Sequence, residues 1–75
     1  MTAALAGKAG KSAEELARIV AEFACDDRIQ RVEVGPDERL GWYAIAIASP
    51  GFGLECQARI DAVVRLLRDD YDLAR

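Results

Sequence analysis

The run Tyr43-Ala44-Ile45-Ala46-Ile47-Ala48, with Trp42 before it, alternates side chains without one polar residue on either face. Successive side chains of a strand point to opposite sides, so Tyr43, Ile45 and Ile47 share one face and Trp42, Ala44, Ala46 and Ala48 the other. A strand that is apolar on both faces must be covered on at least one by another element. Only 75 residues are present to supply that cover, which is too few for a Rossmann or TIM scaffold or for a two-domain cleft.

The cover stands on both sides of the strand in sequence. Ser12-Ala13-Glu14-Glu15 has the form of a capping box, in which the serine hydroxyl takes one orphan amide and Glu15 reaches back to another. Leu16, Ile19, Val20, Phe23 and Ala24 then form one apolar stripe, with Glu14, Arg18 and Glu22 on the opposite face, as an amphipathic helix requires. Asp26-Asp27 is unfavourable at the negative end of a helix dipole and suits a turn, so this helix ends near Ala24 or Cys25. Further on, Cys56, Ile60, Val63, Val64, Leu67 and Tyr71 recur at helical spacing, a second helix of about 18 residues and about 27 Å. Glu55/Arg59, Asp61/Arg65, Arg65/Asp69 and Arg68/Asp72 lie four apart on it with opposite signs.

Between the helices, Arg31-Val32-Glu33-Val34 alternates with period two, Gly35 to Arg39 carries turn chemistry, and Leu40 to Ala48 makes the second strand. Ser49-Pro50-Gly51-Phe52-Gly53 ends it. The expectation is a small single α+β domain over 12–75 with αββα order, an antiparallel hairpin packed against two amphipathic helices. Residues 1–11, which are Ala-, Gly- and Lys-rich without apolar period, are expected to form a flexible tail. A lone hairpin is marginal in water. The helices can cover the Tyr43/Ile45/Ile47 face, or one can pack on the alanine face. Alternatively the surplus face or the hairpin edge meets a second chain, with Trp42 as anchor.

Chemistry is thinly represented. Histidine is absent, which removes the commonest general base and metal ligand. Cys25 and Cys56 are too few for a disulfide scaffold or a zinc site. The αββα order brings both to one end, where two partly buried thiols outweigh a redox or carrier role. Gly51-Phe52-Gly53 lacks the Lys-Ser/Thr or third glycine of the phosphate-binding loops and is followed by Glu55. Asp69, Asp70 and Asp72 lack the rest of a calcium loop. No catalytic residue, metal or cofactor is therefore expected. With no apolar stretch long enough to span a bilayer and no basic-then-apolar start, the chain reads as cytoplasmic, away from membranes.

The stretch from Tyr43 to Phe52 resembles the second strand and following turn of BolA-like proteins, where an apolar strand ends in Ser-x-x-Phe, here Ser49 to Phe52, before a helix carrying arginine. The likeness covers ten residues. The Arg-His pair of that family is missing, since Arg59 is followed by Ile60, so its iron–sulfur partnership with glutaredoxins does not carry over.

Charge supplies the functional expectation. Thirteen acidic against ten basic residues, net −3, argue against direct nucleic-acid binding, which needs a Lys/Arg excess. Tracing αββα gathers Asp37, Glu38, Asp69, Asp70 and Asp72 at one end, diluted by Arg39, Arg68 and Arg75, with Asp26, Asp27 and Glu55 at the other. The expectation is a non-enzymatic protein-binding module, most concretely a small acidic inhibitor that covers a basic, nucleic-acid-binding surface of a larger partner. Phage-encoded anti-CRISPR proteins of similar size and charge are the analogy. Asp37, Glu38, Asp69, Asp70, Asp72 and Trp42 are the expected partner-binding residues. The alternative is a homodimeric structural or adaptor domain joined through the hairpin edge or the Trp42 face.

Overall fold

The computed structural model describes residues 9–74. Ser12 opens the first helix with both capping-box bonds in place. Glu15 N–H donates to Ser12 Oγ at 3.1 Å, and Ser12 N–H donates to Glu15 Oε1 at 3.2 Å. That backbone bond from Ser12 is also the main reason the Glu15 carboxyl is held below its ordinary pKa. Helix α1 runs Ala13–Ala24 and closes on Cys25, whose left-handed φ of 48° turns the chain toward Asp26. Strands β2 (Ile29–Asp37) and β3 (Gly41–Ala48) form the antiparallel hairpin, and α2 spans Gly53–Leu67. Two three-residue strands complete the set, β1 (Ala9–Lys11) and β4 (Tyr71–Leu73), paired in parallel. The result is a small single α+β unit whose central αββα order is the expected one.

Both helices lie on one face of the hairpin, α1 over β2 and α2 over β3, and they also touch each other. The covered face is the one bearing Trp42 and the alanines. Leu16, Val20 and Ala24 of α1, Val32 of β2, Trp42 and Ala44 of β3, and Ile60, Val64 and Leu67 of α2 form one buried cluster. Alanines let a helix approach the sheet closely, and the indole fills the space at the end of the row. Tyr43 and Ile45 are left 38% and 44% exposed on the outer face. Tyr43 lies across Gly35, where a Cβ would stand 2.5 Å from the phenolic oxygen. Any side chain at 35 therefore displaces the ring.

Four expectations are corrected. Strand β2 continues through Gly35 and Pro36 to Asp37, where a turn was expected, because Pro36 faces Trp42 at a position that makes no ladder bond. Helix α2 stops at Leu67, and Tyr71 belongs to β4. The expected tail loses its last three residues to β1, since Ala9 N–H donates to Asp70 O at 3.1 Å and Ala74 N–H to Lys11 O at 2.8 Å; residues 1–8 lie outside the described residues. Trp42, expected as a partner anchor, is 0% exposed. Its indole N–H donates to Tyr71 O at 3.1 Å, so the β4 backbone satisfies the only polar atom of a core side chain.

Candidate functional site

The hairpin turn and the α2–β4 connection meet at one end of the molecule. Asp37 opposes Gly41 across the turn, and Asp72 Oδ1 lies 3.5 Å from where a Cβ of Gly41 would stand. Asp37 Oδ1 accepts from Arg39 N–H at 2.8 Å and Leu40 N–H at 3.0 Å. These bonds, led by the one from Leu40, hold its carboxyl below the ordinary value, and Arg68 and Arg39 add to the effect. Glu38, Asp69, Asp70 and Asp72 are exposed. Among the described residues none of these five carboxylates has an ion-pair partner within 4.0 Å, and no group of three or more acidic or cysteine side chains is arranged to hold a metal. The carboxylates are spread over an end rather than focused on a point. Of the expected partner-binding residues, then, five share this surface and Trp42 lies beneath it in the core.

Two side chains organise the free edge of β3: Gln57, to which the sequence assigns no role, and Arg68, expected as the partner of Asp72. Ala46 N–H donates to Gln57 Oε1 at 2.9 Å, and Gln57 Nε2 donates to Ala44 O at 3.0 Å. Arg68 Nε and Nη2 both donate to Trp42 O, at 2.9 and 2.6 Å. Helix α2 thus supplies strand-like partners to a strand edge. No spacing rule announces such bonds. The one available signal is that Gln57 is the uncharged polar residue next to the buried Cys56.

The opposite end is closed by ion pairs. Asp26, whose side chain is 9% exposed, takes Arg28 in a forked pair, Nε to Oδ1 at 2.9 Å and Nη2 to Oδ2 at 2.7 Å. The Arg28 side chain, then its backbone amide, hold the Asp26 carboxyl far below the carboxylate range, and Asp26 in turn raises Arg28. Arg28 also stacks on Phe52, 5.2 Å from the ring centre, and reaches Glu55 at 3.5 Å. Arg59 donates to Ala24 O at 2.6 Å, capping α1 from α2. None of the four i,i+4 pairs expected along α2 is an ion pair among the described residues: Arg59 and Arg68 are used on backbone carbonyls, and Asp61 accepts from Gln57 Nε2 at 2.8 Å. Cys25 is exposed and Cys56 buried, and neither is in a disulfide.

Among the described residues no helix is long and apolar enough to cross a membrane. No protein-family model, no curated protein and no solved structure matches this chain.

Proposed function

We propose that this chain is a non-enzymatic protein-binding module that sets its acidic end on a basic, nucleic-acid-binding surface of a larger protein and blocks it. The reading rests on one observation: Asp37, Glu38, Asp69, Asp70 and Asp72 share an end with no ion-pair partner within reach among the described residues. A stabilising role within the domain would put cations on them, as Asp26 has. Unpaired carboxylates of one sign raise the local potential and steer a basic partner. Asp37 is held in place by two backbone amides, so part of this surface is already ordered before contact.

The test is capture from a cell lysate on the immobilised chain, beside a variant carrying Asp37→Lys, Glu38→Lys, Asp69→Lys and Asp70→Lys. A basic protein held by the first, lost by the second, and released by salt or by added double-stranded DNA is the expected result. The same proteins on both columns, insensitive to salt, would end this reading.

A further inference from the structure

Every buried side chain of the core belongs to α1, β2, β3 or α2. Strands β1 and β4 contribute none: Ala9, Gly10 and Asp72 are exposed, and Lys11, Tyr71 and Leu73 are half-buried. The two strands hold each other over three residue pairs, Ala9 with Tyr71, Gly10 with Asp72 and Lys11 with Leu73. Lys11 Nζ adds a contact 5.9 Å from the centre of the Tyr71 ring. Segments with few buried apolar contacts and exposed backbone bonds open at a lower free energy than the whole fold.

Both ends of this pair are tied to the core. Ser12, the residue after β1, is pinned by the capping box. Arg68, just before the turn into β4, is pinned to Trp42 O. What lies between the two ties covers one particular atom. Tyr71 O accepts from the Trp42 indole N–H at 3.1 Å, and with β4 in place Trp42 is fully buried. Leaving that N–H without an acceptor is costly, so the closed form dominates.

We infer that β1 and β4 form a clasp that opens as one unit, 9–11 with 69–74, while both helices and the hairpin stay folded, and that its opening uncovers the indole edge of Trp42. The acidic end is divided by the same event. Asp37 and Glu38 stay with the hairpin, whereas Asp70 and Asp72 move with β4. A partner that touches both pairs binds the closed form, and a ligand that takes β1 away works against it through the shared equilibrium. This consequence rests on the reading above. The clasp itself does not, and its test involves no partner.

The test is hydrogen exchange of the whole chain, followed by 1H–15N spectra at the Trp42 indole N–H and at the amides of residues 9, 46 and 74. In the parent chain the indole and the amides of 9 and 74 should share one opening equilibrium and exchange faster than Ala46. Ala9→Pro removes the donor to Asp70 O and should speed indole exchange about fivefold or more, with Ala46 unchanged. A lock is also available: a Cβ at Gly10 would stand 3.6 Å from Ala74 Cβ, within the about 3.5–4.5 Å that a disulfide spans. Gly10→Cys with Ala74→Cys, in a Cys25→Ser background, should close under oxidised glutathione and slow indole exchange toward that of Ala46, and dithiothreitol should reverse this. The inference is overturned by an indole N–H as slow as Ala46 in the parent chain, or by indole exchange that neither Ala9→Pro nor the disulfide moves. It is also overturned by a thiol pair that stays reduced, or by Ala46 speeding up with the indole in Ala9→Pro, which would make β1 part of the global fold.

Discussion

The two edges of the β2–β3 hairpin have the same backbone chemistry and opposite treatment. Along β3, α2 lowers a glutamine and an arginine onto Trp42 O, Ala44 O and Ala46 N–H, while β4 takes the indole N–H from the same strand. Along β2, α1 offers Ala13 and Ala17. Unpaired strand edges invite pairing with other chains, so in a small two-layer unit the choice of overhanging side chain decides which edge is closed. Proteins also guard edges with charge and proline, and Arg31, Glu33 and Pro36 lie on β2. Arg31 and Glu33, however, pair with each other at 2.6 Å on the outer face, and among the described residues no side chain bonds to the main chain of Val32 or Val34.

Replacing Trp42 breaks the closed side at its root. Trp42→Ala should cost about 3–5 kcal/mol, comparable with the whole stability of a domain at the low end of about 5–15 kcal/mol. Urea unfolding should find it largely unfolded in buffer. Arg68→Ala removes both bonds to Trp42 O and should lower the unfolding free energy by about 1.5–3 kcal/mol, with Arg68→Lys between the two. Gln57→Ala should cost about 1 kcal/mol. It also makes the β3 edge resemble the β2 edge, leaving Ala44 O and Ala46 N–H without their side-chain partner. The reverse change, Ala17→Gln, adds the missing bridge over β2 and should raise stability by about 0.5–1 kcal/mol.

Acid is the mildest perturbation, because it touches neither edge. The folded Asp26 pKa lies below its unfolded value, so the stability Asp26 contributes is complete above about pH 3.8 and is lost as pH falls toward the folded value. Urea midpoints should fall below that pH in the parent chain. Asp26→Asn should have a flatter acid limb.

Much of this architecture can be read from residue order, and the failures have physical causes. The capping box at Ser12, the α1 stripe and the pairing of two strands follow from local chemistry with period 3.6 or 2. Which face of β3 turns inward does not follow, since both are apolar; close approach of a helix over alanines decides it, and Trp42 is buried with them. Tyr71 continues the helical spacing from Leu67 yet lies in a strand, because β4 is held by Ala9–Lys11 from the other end of the chain. A three-residue strand carries no periodicity to read. Five of the six expected site residues share one end because chain direction alone places them there. The roles of Gln57 and Arg68 depend on a strand edge that exists only once the hairpin is packed.

Native-state hydrogen exchange, read amide by amide at neutral pH, tests the contrast between the edges most directly. Ala46 N–H, bonded to Gln57, should exchange slowly, and Gln57→Ala should release it. Val32 and Val34 N–H should exchange far faster than Ala46. Val32 and Val34 protected as strongly as Ala46 in dilute monomer would mean that the β2 edge is already closed, and the contrast would fail.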